Sequence, residues 1–479
     1  MKLITNNRKI EYEVRELINS YLPKTKFETA DSRPAEGDYA VAIVTENDGI
    51  YDYFAEVSIG GRTGKSSDSA AEISKLHMGA LIADIMVSLT GITLPWGILT
   101  GIRPAKMIRE LRESGLNDDE IYSKFIGEYR VSPKKAALAA DVARAEENIC
   151  KSKIPNAVSL YIGIPFCPTR CLYCSFTSQS IKFSNTLTEP YMRSLMHEID
   201  FVSHYLAERK IPIETLYIGG GTPTALDEGN LAALTAKIEK SFDLSSLREY
   251  TIEAGRPDTI TDEKLHIMKE CGVSRISINP QSMNQKTLNI IGRRHTPQDI
   301  INSFEAAEKC GFHHINADLI AGLPGESEQD FDHTLGEIKK LNPSSVTVHT
   351  MSIKHGSYLD KSYSMYTKTA AETVGAMLDT ADSALRAMGK HPYYMYRQKN
   401  MLGNLENVGY CGNGGECRYN IYIMDEVQSV ISLGAGASTK LVGADRIERV
   451  FNVKEVSEYI KRIDEMIERK KNLFLGGLL

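Results

Sequence analysis

The apolar positions of the chain change period near residue 159. Upstream, residues 39–45 and 50–58 alternate and are rich in β-branched side chains, and Asn47-Asp48-Gly49 joins them as a hairpin turn. A helix over about 10–21 precedes them. From Ala70 the spacing turns helical: Pro104 opens one helix, Asn117 caps a second, and Ser132-Pro133 starts a third that runs to about Asn148. Downstream, β-rich runs near 159–164, 213–218, 249–253, 274–279, 313–320 and 345–351 are separated by helical stretches near 190–209, 227–241, 261–271, 297–310 and 327–341. Cys271-Gly272 and Cys310-Gly311 each close a helix with glycine where the backbone turns left-handed. Strands alternating with helices build βαβ units on a parallel sheet, an α/β class, and six such strands predict a (β/α)6 partial barrel.

After about Gly356 the alternation fades, leaving helical stretches at 370–389 and 454–472 around a segment rich in glycine, asparagine and tyrosine. The predicted organisation is an N-terminal α+β then helical accessory domain over 1–150, a barrel over 151–360, and a small C-terminal cover domain over 361–479. A length of 479 residues suits two to three domains. The net charge of −6 argues against a general nucleic-acid binder. The longest apolar region, 78–102, contains Asp84 and Pro95 and reads as a buried helix followed by a loop, not a membrane span. The polar start is unlike a signal peptide. Eight cysteines without even, disulfide-like spacing point to a reducing cytoplasm.

The densest chemistry is Ile164-Pro165-Phe166-Cys167-Pro168-Thr169-Arg170-Cys171-Leu172-Tyr173-Cys174. Its C-x3-C-x2-C spacing offers three thiolates, one short of a closed tetrahedral site, and no second C-x2-C pair of the zinc-knuckle kind appears. A [4Fe-4S] cluster held by three cysteines keeps one iron open, and the amino and carboxylate groups of S-adenosylmethionine fit it. The string, with Tyr173 before the third cysteine, resembles the radical SAM superfamily signature, which implies the partial barrel and this cofactor pair. Chemistry in parallel β/α barrels sits at the carboxyl ends of the strands, and the remaining motifs fall there. Gly219-Gly220-Gly221-Thr222-Pro223-Thr224 ends the second strand and resembles the superfamily's glycine motif for the cofactor's amino group. Glu253 ends the third strand, Gln281 follows the fourth, and Arg293 follows on the next helix with a fork suited to a carboxylate. Asp318 lies inside an apolar strand, where a charge is costly unless paired or bound. Gly322-Leu323-Pro324-Gly325-Glu326 then turns the chain, as a support for the adenine.

Together with Tyr161 and Asp318-Leu319-Ile320-Ala321-Gly322-Leu323-Pro324, these strings resemble the oxygen-independent coproporphyrinogen III oxidase (dehydrogenase) family, which includes haem chaperones. Three further strings, running from Trp96 to Pro104, Tyr394 to Met401 and Glu406 to Tyr410, are similar to its HemZ-like branch. The resemblance implies a cluster on Cys167, Cys171 and Cys174. It implies cofactor contacts at Tyr161, Tyr173, Gly220, Gly221, Thr222 and Glu253, contacts at Gln281, Arg293 and Asp318 to a second cofactor molecule as in the oxidase branch or to the same single one, and an adenosyl contact at Ser352. The turn Leu433-Gly434-Ala435-Gly436-Ala437-Ser438 resembles the family's late glycine turn beside the same pocket.

The implied reaction is oxidative decarboxylation: an adenosyl radical takes hydrogen from the β-carbon of a propionate, and loss of CO2 and an electron leaves a vinyl group. Coproporphyrinogen III would become protoporphyrinogen IX in haem biosynthesis, with a flavodoxin- or ferredoxin-type reductant. Tyr161, Arg397 and Lys399 are the candidate catalytic residues, the last two as cations for the substrate carboxylates, with a solvated basic turn as the competing reading. Two departures matter. Phe176 stands where the oxidase branch has a fourth cysteine and matches the chaperone-like and HemZ-like pattern. Tyr419-Asn420-Ile421-Tyr422-Ile423-Met424 replaces the chaperones' His-Asn-x-x-Tyr-Trp string and keeps only Asn420. A haem chaperone and a haem-methylating, ring-opening radical enzyme remain the rivals. Cys411 and Cys417 would suit an auxiliary cluster or redox pair, but two unrelated cysteines is the preferred reading. No histidines show zincin-type i, i+4 pairing, and His313-His314 reads as structural.

Overall fold

The computed structural model describes residues 1–479 except 24, 102, 175–178, 181–184, 353–368, 399–400 and 478–479. The chain divides into two compact units, Met1–Ala143 with Tyr396–Glu406, and Arg144–Met395 with Asn407–Leu479.

In the first unit, Tyr39–Asn47, Ile50–Ile59 and Arg62–Ala70 form an antiparallel meander, and Lys2–Thr5 joins parallel to Tyr39–Asn47. Asp48 and Gly49 take φ of +51° and +81°, the left-handed pair a two-residue hairpin needs. The third meander strand has no apolar alternation because it is largely exposed and is held by ladder hydrogen bonds instead of burial. The helix Lys75–Thr90 stops at Gly91 in the left-handed conformation, well short of residue 102. Among the described residues no helix is long and apolar enough to cross a membrane. Helix Asp118–Gly127 starts on a capping box between Asn117 and Glu120.

Trp96 and Glu406 meet inside this unit in a buried polar network. Trp96 is fully buried, and its indole N–H donates to Glu406 Oε2 at 2.6 Å. Lys135 pairs with the other oxygen of the same carboxylate. Leaving Lys135 or Glu406 unpaired here would cost several kcal/mol, roughly 3–5.

In the second unit, β1 (Val158–Ile164), β2 (Ile213–Gly220), β3 (Glu249–Glu253), β4 (Arg275–Ser277), β5 (His314–Ala321) and β6 (Ser345–Thr350) pair in parallel in that order. The connecting helices are α1 (Asn185–Arg209), α2 (Glu228–Ser241), α3 (Asp262–Glu270), α4 (Gln285–Ile290), α5 (Pro297–Lys309) and α6 (Glu328–Leu341). Asp227 and Thr261 cap α2 and α3, and capping boxes at Thr296/Asp299 and Ser327/Asp330 start α5 and α6. Next come α7 (Thr369–Ala387), β7 (His391–Tyr396), β8 (Asn407–Cys411), α8 (Arg418–Asp425), β9 (Ser429–Leu433), β10 (Ser438–Val442) and β11 (Ile447–Phe451), then helices at Val456–Lys461 and Ile463–Leu475.

The expected separate cover domain over 361–479 is corrected here. β9 pairs in parallel with β1, and β8 pairs antiparallel with β6. Among the described residues the sheet therefore has eleven strands, ordered β7-β8-β6-β5-β4-β3-β2-β1-β9-β10-β11. All five residues of β9 are buried, yet Ser429-Val430-Ile431-Ser432-Leu433 neither alternates nor stays apolar long enough to signal a seventh parallel strand. Glu198 on α1 locks this edge in place. The buried carboxylate accepts from Gly434 N–H, Asn452, Tyr459 and Lys470. Gly434, at φ +98°, lies against β1, and a Cβ there would stand 2.5 Å from Gly163 O.

Candidate active site

The cysteine loop leaves β1 at its carboxyl end. Phe166-Cys167 pairs with Gln179-Ser180 in a two-stranded ribbon, and Leu172 N–H donates to Ile291 O at the end of α4. Cys174 N–H donates to Cys171 O at 3.1 Å and forms the turn that carries the third thiol. Cys167 Sγ lies 3.5 Å from Thr222 Oγ1. Arg256 Nη1 donates to Cys171 Sγ at 3.7 Å and to Thr169 O and Oγ1, while its other edge is held by Asp258. Arg293 is also buried. It donates to Asn279 O at 2.6 Å and to Gly255 O at 3.3 Å, and reaches Tyr173 Oη at 3.5 Å. Burial opposes its charge, but Tyr173 and Cys171 more than offset this and hold Arg293 protonated. His295 is pushed down to about 4 by burial and then by the Arg293 and Arg256 charges, so it is neutral here. Cys171 beside two buried guanidiniums suits an anionic thiolate cluster, and among the described residues Arg293 Nε is a buried donor without a hydrogen-bond acceptor.

The glycine run ends β2. Gly221 N–H donates to Ile164 O at 2.7 Å and Thr222 N–H to Phe166 O at 2.8 Å, which closes β2 onto the base of the cysteine loop. A Cβ on Gly221 would stand 2.5 Å from Phe166 O, so the backbone approach itself requires glycine. Gly220 takes φ +109° and donates its N–H to Glu253 Oε2 at 3.2 Å.

Glu253 also accepts a 2.6 Å hydrogen bond from Tyr217 Oη. Burial pushes its carboxyl up to about 7, with the Asp318 charge adding to the rise and the hydrogen bonds from Tyr217 and Gly220 opposing it. Burial also acts upward on Asp318, but His349, Asn316 and Thr347 outweigh it and hold that carboxyl below its usual range. Asn316 Nδ2 donates to Asp318 Oδ1 at 2.7 Å, and His349 Nε2 lies 3.7 Å from Oδ2. The two carboxyls thus take opposite characters, one poised for a proton and one a fixed anion. Gln281, buried, sits at φ +66°, a left-handed conformation unusual for a side-chain residue. It is clamped between Asp318 O, which accepts its N–H at 2.9 Å, and Ile320 N–H, which donates to its carbonyl at 3.0 Å.

Tyr161 on β1, Tyr217 on β2 and Tyr419 on α8 stack on one another, with ring centroids 4.5 Å apart for Tyr217 and Tyr419 and 6.1 Å for Tyr161 and Tyr217. The start of α8 is seated on Glu249, at the amino end of β3, which accepts from Arg418 N–H, Tyr419 N–H and Cys417 Sγ–H. Burial raises the Tyr161 phenol well above its ordinary range and keeps it neutral.

The sequence candidates Cys167, Cys171, Cys174, Tyr173, Thr222 and Arg293 therefore share one wall. Gly220, Gly221, Glu253 and Gln281 lie at the adjoining strand ends, Tyr161 and Asp318 lie within β1 and β5, and Ser352 follows β6 by two residues. Arg397 requires a correction. It belongs to the first unit, is 2% exposed, donates to the carbonyls of Leu99, Gly101 and Asn404, and lies 5.3 Å from the Trp96 ring. Its fork is a strut between loops, not a free cation for substrate. Lys399 and Phe176 lie outside the described residues. Arg256, Tyr217, Tyr419 and His349 carry roles that motif reading did not assign. For His349 a signal exists: Thr347 and His349 alternate with buried valines on β6.

The radical SAM superfamily model matches residues 161–338. The oxygen-independent coproporphyrinogen-III oxidase-like protein HemZ of Bacillus subtilis is 39% identical over 392 residues, covering 81% of this chain and 78% of that one. The heme chaperone HemW of the same bacterium is 31% identical over 313 residues, covering 64% of this chain and 76% of its own. The coproporphyrinogen III oxidase HemN of Escherichia coli, a radical SAM enzyme, shares the fold with a TM-score of 0.53 at 21% identity, over 68% of this chain and 73% of that one. The chain belongs to the radical SAM superfamily, in its HemZ-like branch, whose cofactors are a [4Fe-4S] cluster and S-adenosylmethionine.

Proposed function

We propose that Cys167, Cys171 and Cys174 hold the cluster and that the chain oxidatively decarboxylates propionates of coproporphyrinogen III to vinyl groups, giving protoporphyrinogen IX. When bound, cluster and S-adenosylmethionine together supply a hydrogen-abstracting 5′-deoxyadenosyl radical. The residues of the chain then have distinct tasks. Arg256 and Arg293 offset the thiolate charge at Cys171. Glu253, as an anion, accepts hydrogen bonds from the cofactor's ribose or ammonium, and a cationic partner there pulls its titration back down. Asp318 and Gln281 offer a second polar contact at the neighbouring strand ends. The stacked tyrosines close the inner end of the barrel and exclude water from the reacting groups. A cytoplasmic flavodoxin- or ferredoxin-type protein supplies the electron.

The observation that favours an enzyme over a haem chaperone is Tyr419. It occupies the position of the chaperone histidine, yet its ring is packed on Tyr217 at 4.5 Å and offers no imidazole to iron. The test is anaerobic turnover with reconstituted cluster, reductant and S-adenosylmethionine, with coproporphyrinogen III and haem offered separately and products read by mass. The expected result is deoxyadenosine with loss of two formic-acid equivalents from the porphyrinogen. Intact haem bound stoichiometrically without deoxyadenosine would assign the chaperone role, and haem loss with S-adenosylhomocysteine would assign ring modification.

A further inference from the structure

Cys411 ends β8 and, across the antiparallel ladder, pairs with Ser345, the first residue of β6. It therefore lies at the amino end of β6, whereas the cysteine loop follows the carboxyl end of β1. His391 opens β7, the neighbour of β8. Glu416 returns to both through a glycine-rich turn in which Gly415 N–H donates to Gly412 O at 2.9 Å and Gly414 takes φ +76°. A Cβ on Gly415 would stand 3.1 Å from Cys411 Cβ, so the turn is tight against the thiol it approaches. As a result His391 Nε2 lies 3.2 Å from Glu416 Oε1 and 3.8 Å from Cys411 Sγ, and the three ligand atoms all lie within 4.8 Å of one another.

We propose that His391, Cys411 and Glu416 form a second metal site, for a zinc-class divalent cation, separate from the iron–sulfur cluster and with solvent as its fourth ligand. A tetrahedral ion with metal–nitrogen and metal–oxygen bonds of about 2.0 Å and a metal–sulfur bond of about 2.3 Å sets edges of roughly 3.3 Å for N···O and 3.5 Å for N···S. The observed N···O distance of 3.2 Å matches its edge, and the N···S distance of 3.8 Å is longer than its edge by about 0.3 Å, a shift a side-chain rotation closes. One imidazole, one thiolate and one carboxylate make a borderline donor set that selects zinc or cobalt over magnesium or calcium. Cys411 is fully buried, while the side chains of His391 and Glu416 are 36% and 18% exposed, which gives a hydrated ion a way in and leaves room for solvent. Binding breaks the Sγ–H bond, forms the Sγ–metal bond and releases the proton to water. Without an ion, burial and then the Glu416 charge hold the Cys411 thiol far above its usual range against Arg275 and Lys390, so it is a thiol and not a free thiolate. Cys417, the other member of the C-x5-C pair, donates to Glu249. The site would pin the edge strand β7 to the end of β8, a structural task remote from the reacting groups.

The test uses the full chain with its cluster reconstituted, exchanged into cobalt(II), with cobalt counted apart from iron. One cobalt per chain is expected, with a thiolate-to-cobalt charge-transfer band and tetrahedral ligand-field bands in the difference spectrum. His391→Gln and Cys411→Ser should lose both signals while keeping their iron. Zinc should raise the Tm of the wild type and not of His391→Gln. Glu416→Gln, at a half-buried position and close in shape to the native side chain, keeps the test decisive if Cys411→Ser fails to fold, since it should retain fold and iron but lose cobalt stoichiometry. Wild-type cobalt no greater than that of His391→Gln, or bound cobalt without a thiolate band, would overturn the assignment and leave an ordinary His391–Glu416 ion pair beside a buried thiol.

Discussion

Tyr217 Oη lies 2.6 Å from Glu253 Oε1, and this hydrogen bond ties β2 to a carboxyl whose titration sits near neutrality. An unfolded chain ionises this group near pH 4.3, and the folded chain near pH 7. The folded state therefore holds the proton more tightly. The associated stability is fully present below about pH 4 and is lost as pH rises to 7, by an amount on the order of 3 kcal/mol. In the cofactor-free chain, Glu253→Gln should remove this slope. Denaturant unfolding at pH 5 and pH 8 checks it: the wild type should lose more stability than the variant across that interval, and equal losses would contradict the burial reading. The same variant should bind S-adenosylmethionine more weakly.

Gly221→Ala places a methyl 2.5 Å from Phe166 O and 2.9 Å from Ile164 O, both backbone atoms with little freedom to yield. A destabilisation of about 1–3 kcal/mol is expected, with displacement of the loop that carries Cys167. Iron content after reconstitution and thermal unfolding together read it. Wild-type values for both would show that the turn has more room than its hydrogen bonds suggest.

Arg256 donates to Cys171 Sγ and is fixed by Asp258. Arg256→Gln removes a buried cation beside the cluster, so the reduction potential should fall, on the order of 100 mV by Coulomb's law at an effective dielectric of about 20. A redox titration followed by electron paramagnetic resonance measures it. An unchanged potential at full iron occupancy would place the guanidinium charge outside the cluster's field.

Arg397→Met removes three hydrogen bonds to backbone carbonyls and the contact over Trp96. A cost of about 3 kcal/mol in the stability of the first unit is expected, with KM for the tetrapyrrole unchanged in the folded fraction. A raised KM at wild-type stability would restore the substrate-binding role first read from its tyrosine-rich segment.

The six barrel strands were legible because each is a short β-rich run spaced by a helical stretch, and helix starts at Asn117, Thr296 and Ser327 carry their capping partners in the sequence. β9 was not, since an eight-residue helix and a five-residue buried strand do not reproduce a βα period. The cysteine, glycine and carboxylate candidates converge because the motifs sit at successive strand ends. Arg397 misled because a cation among tyrosines has the same local pattern whether it faces a ligand or backbone carbonyls, two of which, at Leu99 and Gly101, are distant in sequence. The Tyr161–Tyr217–Tyr419 stack joins residues more than two hundred positions apart, which no local pattern reports.

The proposed chemistry turns on one hydrogen atom. Coproporphyrinogen III deuterated at the propionate β-carbons, incubated anaerobically with the reconstituted protein, reductant and unlabelled S-adenosylmethionine, reports its fate. The predicted result is 5′-deoxyadenosine carrying one deuterium, formed together with the vinyl product and abolished in Cys171→Ser. Deoxyadenosine without deuterium, or none above the rate without substrate, would contradict porphyrinogen decarboxylation by this chain.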